Sequence, residues 1–361
     1  MRFNLKRQVD TRITVVVVII VLAVVQAAWW KGLIWKPTPR LGPRGGGGSG
    51  GRPTEELLMG REDVKVDTFA GAPDPGSEDG IGRKARFDGP VGMAIDAADN
   101  IILADSRNNR IRKISPTGRV ETVAGGEAGF ADGPVSVAKF TLPTGIDVLP
   151  DGTILVADTG NNRIRAIKSG VVSTIAGGEA GDLDGAGNTA RFNAPVSVAH
   201  VKGSADILVA DALNKKVRTI GPGRQVSSHP VSTGTPMCIA DVGGPLITLV
   251  DVGAIVNKGS SKTIIAGSTR IPLKKPMAVC PSKSGFYISS VEHGALFEVS
   301  EAITEVVAGR VGASGSFRGF QDGDGNRASF GVIAGIAYDG KNHIYVSDLS
   351  NNAIRRITLP D

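Results

Sequence analysis

The chain has 361 residues, of which 41% are hydrophobic and only 5% aromatic, with 49 glycines. This length is enough to bury a core, and the composition is typical of many short strands joined by tight turns. The net charge is +6, but residues 1–61 hold 10 Lys and Arg against 3 Asp and Glu, whereas residues 62–361 hold 31 against 32. The positive charge therefore belongs to the N-terminal segment, and no nucleic-acid partner is expected for the rest of the chain.

An uncharged stretch, residues 13–30, follows a basic tail, residues 1–12. Eighteen residues at the rise of an α-helix give about 27 Å, which is just enough to cross the hydrocarbon layer of a membrane. Trp29, Trp30 and Trp35 lie where interfacial aromatic residues are expected. The stretch predicts a single transmembrane helix that acts as a signal anchor.

The orientation of this helix follows only weakly from charge, because basic residues flank both of its ends. The short N-terminal tail favours the cytoplasmic side for the N-terminus and an extracytoplasmic C-terminal domain. Cleavage after the small residues Val25 and Ala27 would instead give a secreted protein. A buried core helix is the third alternative, and it is disfavoured because the stretch is apolar on every side.

Residues 31–61 form a linker rich in proline and glycine, including the run Gly45–Gly48. Such a composition cannot bury an apolar face and predicts a flexible tether. About 20 residues of this kind have a root-mean-square reach of roughly 25 Å.

The remainder of the chain contains internal repeats. The run PVGMAID from Pro90 is followed by IILAD, SRNNRIRKI and RVETVAGG, and related runs start at Pro143 and Pro195. A further copy ends near Ile357, and two weaker copies run from 237 to 267 and from 277 to 309. Self-similarity at a period of this size indicates a repeat architecture, here with six copies.

Each copy carries four short apolar runs separated by turn residues, which predicts a four-stranded propeller blade. The dipeptides Asp151-Gly152 and Asp339-Gly340 predict hairpins between first and second strands. Thr117-Gly118 and Ser169-Gly170 predict hairpins between third and fourth strands. All these turns should lie on one face, the hairpin face. The loops between second and third strands and the long segments 72–86, 126–139, 178–191 and 310–327 should form the opposite face, the loop face.

The last copy stops at Asp361 without a fourth strand, whereas a spare strand of that type, Val66–Gly71, precedes the first copy. The N-terminal strand should therefore pair into the last blade and close the ring, which protects edges that would otherwise aggregate.

These repeats resemble the NHL repeat family, through the pattern PxGxAxD, (I/L)xxAD, NNRIRxI and GVxTxAG from Val66 to Asp361. The fifth copy departs from the pattern, with Ser290 in place of the acid. The resemblance implies an all-β fold, a six-bladed β-propeller over residues 62–361, and binding of protein or RNA. Some similar propellers are lyases or lactonases with a metal in the central channel.

The recurring residues Asp105, Asn109, Arg110 and Arg112 and their copies suggest structure rather than catalysis. A catalytic site on a pseudo-symmetric ring is normally unique, whereas an Asp at a strand end and an Asn in a turn have sufficient structural reasons to recur. Phenylalanines recur before the inner strands and predict a core between blades. They are Phe87, Phe140, Phe192 and Phe330.

The segment Asp322–Asn326 resembles the start of a calcium loop, but Arg327 and Ile333 stand where such a loop has Gly and Glu, so a turn is favoured over a cation site. Cys238 and Cys280 are interpreted as two buried thiols, with one disulfide as the alternative. The four histidines fall at different places in their repeats and do not predict a metal site. They are His200, His229, His293 and His343.

The pattern as a whole favours a membrane-tethered binding or scaffolding module whose loop face holds a protein or a small ligand. No catalytic residue, metal ligand or cofactor is expected. The alternative is a metal-dependent lyase or hydrolase, lactonase-like, with a cation in the channel. The candidate ligand-binding residues lie in the loops between second and third strands. They are Arg107, Asn108, Leu213, His293 and Ser350.

Overall fold

A computed structural model describes residues 58–361 except 232–233, 242–245, 251–252, 259–260, 266–274, 301–303, 313–314 and 317. The described residues are all-β apart from four single-turn 3-10 helices, Gly82–Lys84, Thr159–Asn161, Pro222–Arg224 and Leu349–Asn351. The predicted membrane helix, residues 13–30, lies outside the described residues, as does most of the linker. From residue 58 onward, no described helix has the length and hydrophobicity needed to cross a membrane.

The repeats fold into antiparallel sheets whose strands lie side by side from an inner to an outer strand, and we number these blades after the repeats. Blade 1 contains Pro90–Ile95, Ile101–Asp105, Arg110–Ile114 and Arg119–Gly125. Blade 2 contains Pro143–Val148, Ile154–Asp158, Arg163–Lys168 and Val171–Gly177. Blade 3 contains Pro195–His200, Ile207–Asp211, Lys216–Ile220 and Gln225–Pro230. Blade 5 contains Pro276–Pro281, Phe286–Ser290, Ala295–Val299 and Thr304–Ala308. Blade 6 contains Ile333–Tyr338, His343–Asp348, Ala353–Thr358 and Lys65–Gly71.

The fourth repeat is described less fully. It forms a sheet of Pro236–Asp241, Leu246–Val250, Gly253–Lys258 and Ser261–Ile265, but nearly all side chains of its two outer strands are outside the described part. The all-β propeller is confirmed. The repeats predict six blades. Five blades are described with side chains on every strand.

The inner strands of consecutive repeats lie side by side in a circle, so that the last inner strand meets the first. A side chain on Gly335 would come within 2.2 Å of the Val91 carbonyl oxygen, and one on Gly92 within 2.2 Å of the Thr144 carbonyl oxygen. Glycine at this position of the inner strand therefore allows neighbouring blades to approach each other closely.

The second strands explain the continuous apolar runs in the sequence. Every residue of Ile101–Asp105 and of Phe286–Ser290 is buried, because the blades pack face to face and cover both sides of each central strand. A strand buried on both faces reads as an unbroken apolar run rather than an alternating one. The hairpins follow their predicted turn residues: Ser169 and Gly170 both have positive φ, +50° and +75°, as a two-residue turn requires.

The long segments between blades take a path that differs from the predicted loops. Within each of four segments, two residues form a fifth strand along the edge of an outer strand: Gly80–Ile81, Gly133–Pro134, Gly185–Ala186 and Gly323–Asp324. In the first of them, Gly80 pairs with Val120, and the Gly82 amide donates to the Gly118 carbonyl at 2.9 Å, beside a hairpin turn. The segments thus extend along the blade edge to the hairpin face instead of lying only on the loop face.

Ring closure occurs as predicted. The strand Lys65–Gly71 pairs with Ala353–Thr358 of the last repeat. The preceding residues form an N-terminal arm, residues 58–64, in which Leu58–Met59 pairs with Arg310–Val311 and the Arg61 amide donates to the Val307 carbonyl at 3.1 Å. The arm therefore covers the outer strand of blade 5 before the chain enters blade 6.

We predict that deleting residues 62–71 abolishes cooperative unfolding or causes aggregation. The deletion removes the outer strand of blade 6, including the buried Val66 and Ala70, and exposes an unpaired edge. Thermal unfolding by circular dichroism and light scattering measure the outcome. A deletion of residues 40–50 in the linker is the control, and a melting temperature equal to that of the parent in the first variant contradicts the closure.

Candidate functional site

A buried ion pair recurs at the end of the second strand in four blades. The aspartates and arginines that form it all have 0% exposed surface. The arginine Nη1 lies 2.6 Å from the aspartate in blades 1 and 2, 2.7 Å in blade 3 and 3.3 Å in blade 6. The pairs are Arg112–Asp105, Arg165–Asp158, Arg218–Asp211 and Arg355–Asp348. A charge buried this deeply requires such a partner.

Each of these arginines also binds a second, half-exposed aspartate in the segment that precedes its blade. In blade 2, Nη2 of Arg165 lies 2.5 Å from Asp132 and donates to the Ala131 carbonyl at 2.8 Å. The other second aspartates are Asp79, Asp184 and Asp322. In the calcium-like segment, Asp322 is therefore engaged by Arg355, and Asp324 forms an ion pair with Lys65.

Two consecutive residues of each regular loop have different roles; both are asparagines in blades 1, 2 and 6, whereas blade 3 has Asn214 and Lys215. Asn161 donates to the buried Asp158 and to the Gly129 carbonyl, both at 2.8 Å. Asn162 has a left-handed backbone, φ +53°, and accepts the Ala194 amide of the next blade at 2.9 Å. The turn asparagine was predicted from the sequence, whereas the inward asparagine was not; the repeated spacing of three residues from the aspartate to this first asparagine is the signal for it.

Aromatic rings stack on the buried guanidinium groups. The predicted core phenylalanines all have 0% exposed surface, and each lies 5.0–5.2 Å from an arginine Cζ, a distance typical of cation–π contact. Their core role is confirmed for Phe87, Phe140, Phe192 and Phe330.

Burial has the largest effect on the pKa of the buried aspartates at the strand ends. It raises the pKa of Asp158 and that of Asp348 to about 6, against the lowering effect of their arginines and hydrogen-bond donors. Burial also acts on Asp79, but the bonds from Thr122 and Arg112 outweigh it and leave the pKa of Asp79 below its usual value. In blade 1, Asp105 accepts hydrogen bonds from Asn108 and Arg112, and Asp79 accepts them from Arg112 and Thr122.

The five candidate residues fall into two classes. Arg107, Leu213 and Ser350 occupy the second position after the strand-end acid, where Arg107 and Ser350 are exposed and Leu213 is partly exposed. Asn108 and His293 occupy the third position and point inward: Asn108 donates to Asp105 at 2.9 Å, and His293 is 5% exposed. Arg107 and Asn108 share the loop of blade 1, whereas Leu213, His293 and Ser350 lie in the loops of blades 3, 5 and 6.

Blade 5 replaces the whole network. Ser290 takes the place of the acid, His293 that of the asparagine and Phe297 that of the arginine. Ser290 Oγ lies 3.0 Å from His293 Nδ1, and the His293 ring packs edge-on against Phe297 at 5.8 Å. Blade 5 thus has a Ser–His hydrogen bond and an aromatic contact where the other blades have the Asp–Arg pair.

A different contact joins blades 2, 3 and 4 at the hairpin face. Asp147 Oδ2 accepts both the His200 amide at 2.6 Å and His200 Nδ1 at 2.7 Å. Asp241 accepts the Lys202 amide at 2.8 Å. The hydrogen bond to Asp147 has the largest effect on the pKa of His200 and raises it, and Asp241 acts in the same direction. Sequence reasoning missed this contact because its members lie in separate repeats.

The described residues offer little for metal or redox chemistry. Among the residues from 58 onward that are described, no three His, Cys, Asp or Glu side chains are grouped so that they could hold a metal ion. Cys238 and Cys280 are both free thiols, and burial raises their pKa. The disulfide alternative is therefore wrong for this structure.

Comparison with known proteins places NHL repeats at residues 87–114 and 140–167, and the chain carries such repeats in a β-propeller. The Arabidopsis thaliana protein SUPPRESSOR OF QUENCHING 1, chloroplastic, is 42% identical over 94 residues, 26% of this chain and 9% of that protein. Human NHL repeat-containing protein 2 is 25% identical over 271 residues, 49% of this chain and 37% of that protein. The chain thus matches well under half of the length of these relatives.

Solved structures share the fold at low sequence identity. An auxiliary nutrient binding protein from Bacteroides ovatus has a TM-score of 0.64 and 14% identity, with 83% of this chain and 78% of that chain covered. A gluconolactonase from Xanthomonas campestris has a TM-score of 0.56 and 12% identity, with 86% and 99% covered. At these identities the likeness shows the propeller fold alone.

We predict that Arg165→Met destabilises the protein by about 3–5 kcal/mol, because it leaves Asp158 buried without its charge partner. Urea unfolding measures the loss. Arg356→Met is the matched control, since Arg356 binds Asp67 from a partly exposed position and its loss should cost about 1 kcal/mol or less. Equal losses in the two variants would show that burial does not set the strength of the pair.

We predict that the contribution of His200 to stability depends on pH. Because the folded-state pKa is raised, this contribution is fully present below the ordinary pKa of 6.5 and is lost as the pH rises through the folded value. His200→Gln should therefore destabilise the protein more at about pH 5.5 than at about pH 8.5. Asp147→Asn should remove most of that difference, and a loss that is the same at both pH values contradicts the prediction.

Proposed function

We propose that the protein is a binding or scaffolding module that holds a partner protein on its loop face and is tethered outside the cytoplasm by residues 13–30. The observation that carries the proposal is a contrast within the loops between second and third strands. In blades 1, 2, 3 and 6 the acid and the inward asparagine repeat, whereas the tip residue between them changes from Arg107 to Gly160, Leu213 and Ser350. In blade 5, where Ser290 and His293 stand in place of the acid and the asparagine, the tip is Glu292.

This contrast is what a binding platform requires. In blade 1, Asn108 fixes the loop to Asp105 and to the Gly76 carbonyl at 2.9 and 2.6 Å, so the neighbouring tip, Arg107, is presented from a rigid frame. Variable side chains on a rigid scaffold provide specificity at low entropic cost on binding. The two-residue hairpins on the opposite face leave less room for such variation.

We predict that photo-crosslinking identifies the loop face as the contact surface. A benzophenone amino acid at positions 107, 213, 292 or 350 should give crosslinked adducts in the native membrane, because Arg107, Glu292 and Ser350 are exposed and Leu213 is partly exposed. The same group at hairpin positions 151 and 341 is the control. Adducts from the hairpin positions alone would place the partner on the opposite face.

We predict that a reporter fused after Asp361 is active only if it functions outside the cytoplasm, because an uncharged 18-residue stretch precedes the domain. Paired fusions of alkaline phosphatase and a cytoplasmic fluorescent protein measure the location. Membrane and soluble fractions distinguish the anchor from the secreted alternative. Fluorescence from the cytoplasmic reporter would overturn the proposed topology.

The metal-dependent enzyme remains the alternative function. Propellers with this fold include a protein described as a gluconolactonase, but no described group of side chains in the present chain forms a three-ligand site. Metal analysis of the purified full chain decides between the two, and one tightly bound divalent cation per chain would favour the enzyme.

A further inference from the structure

The outer strand of each blade is a sheet edge, and most blades of this chain cover it. In blades 1, 2, 3 and 6 the preceding segment adds a two-residue fifth strand to the outer strand. In blade 5 the N-terminal arm takes that place: the Gly60 amide donates to the Gly309 carbonyl at 2.9 Å, and the Arg61 amide donates to the Val307 carbonyl at 3.1 Å. An uncovered edge presents unpaired amide and carbonyl groups that can pair with another chain.

Blade 4 is the exception among the described residues. Its sheet has four strands and ends at Ser261–Ile265, and no described strand pairs with the outer side of that strand. The strand pairs with Gly253–Lys258 in unbroken register, whereas the outer strands of blades 1, 2, 5 and 6 each shift register once. A bulge twists an edge away from pairing with another chain, and a regular edge lacks that protection.

The chain that leads into blade 4 is too short to cover its edge. Residues 126–142 and 178–194, which precede blades 2 and 3, are 17 residues each, whereas residues 231–235 are only five. Five extended residues span at most about 17 Å. The crossing from the outer strand of blade 3 to the inner strand of blade 4 takes up three strand spacings, about 14 Å, so nothing remains to extend along the outer strand.

The side chain that anchors a covering segment is missing as well. In blade 1, Arg112 binds Asp79, and Asp79 accepts the Thr122 amide of the outer strand at 3.1 Å. Ala254 occupies the register position in blade 4 that Arg112 has in blade 1, and it is buried. Blade 4 therefore has neither the segment nor the arginine that would hold it.

One amide of this edge is identified by comparison with blade 2. In both blades two residues separate the third strand from the fourth. The outer strand of blade 2 begins at Val171, and three residues later the Thr174 amide faces the edge and donates to Asp132 at 3.1 Å. Residues of an antiparallel strand bond alternately to one side and the other. The outer strand of blade 4 begins at Ser261, so the amide of Ile264, three residues later, faces the edge.

The sequence around this edge is basic. Residues 253–275 contain five Lys and Arg and no Asp or Glu, in a domain whose residues 62–361 balance 31 against 32. A second copy of the chain would bring two basic stretches together, and residues 1–61 of this chain are basic too. Charge therefore disfavours both as occupants of the edge and favours an acidic segment.

We propose that the outer strand of blade 4, Ser261–Ile265, binds an extended, acidic segment of a partner protein, which pairs with it as a fifth strand. In this mode of recognition the main-chain hydrogen bonds supply affinity, and complementary charge selects the partner. The site is the edge of one blade and is separate from the loop face of the proposed function, so either of the two can fail without the other.

The first test uses the full chain in a mild detergent and the peptide acetyl-Thr-Glu-Val-Glu-Val-Glu-Thr-amide as the probe. Residue-resolved hydrogen exchange follows the Ile264 amide. Without peptide it should exchange at least about tenfold faster than the amide of Thr263, which bonds inward, and saturating peptide should slow it about tenfold. The same peptide with Lys in place of Glu, and the same peptide with N-methylated valines, are the matched controls and should give no protection.

The second test changes the edge itself. Ile264→Pro removes the outward amide without removing a bond to the third strand, and Ile264→Val keeps that amide. We expect Ile264→Pro to bind the fluorescently labelled acidic peptide at least about tenfold more weakly than Ile264→Val, as measured by anisotropy. The melting temperatures of the two variants should agree within about 3 °C, because proline is tolerated at an edge.

Three results overturn the proposal. An Ile264 amide that is protected without peptide shows that the edge is already covered: protection that grows with protein concentration identifies a second copy, and protection that is lost on deletion of residues 37–53 identifies the linker. Equal binding of the Glu and Lys peptides removes the acidic partner. Equal binding by Ile264→Pro and Ile264→Val removes the strand pairing, while crosslinking at the loop tips tests the proposed function separately.

Discussion

The guanidinium group buried in each regular blade is the constraint on which most of the fold depends. A charge without access to water must be paired, and the pairing here uses one acid at a strand end and a second acid in the preceding segment. In blade 2, Asp158 fixes the loop after its strand through Asn161, and Asp132 fixes the segment that becomes the edge strand. One side chain thus determines the path of three parts of the chain.

Blades without this arginine show what the network is for. Blade 5 has Phe297 in its place, and Ser290 and His293 bond to each other. Replacing a buried ion pair by apolar groups of similar volume is energetically neutral or favourable in many proteins. The left-handed turn of the loop does not require the network, because Gly294 of blade 5 has φ +61° at the position of Asn109 and Asn352.

The fold was predictable from the sequence because the same pattern of strands and turns recurs in successive repeats. The propeller, the closing strand Lys65–Gly71 and the core position of Phe140 all follow from that repetition. The edge strands were not predictable, since two residues such as Gly133–Pro134 carry no periodic signal. Contacts between repeats were not predictable because they do not recur. Asp147 and His200 are 53 positions apart along the chain, and their contact occurs in one pair of blades.

The candidate site was predictable only in part. The acid-to-asparagine spacing could have shown that Asn108 and His293 point inward, whereas Arg107 and Ser350 at the tips follow from the loop alone. Among the described residues, the buried Nε atoms of Arg110 and Arg112 have no hydrogen-bond partner, which the sequence could not show because it depends on where a different segment of the chain lies.

The N-terminal arm has a mechanical consequence. Residues 58–64 and the closing strand that follows are the first described residues of the chain, so tension from the N-terminal side would act first on Leu58 and Met59 and their pairing with Arg310 and Val311. The strand that closes the ring bears load only after this short ladder has yielded. The pairing of the arm would therefore break before the pairing of the strand that closes the ring.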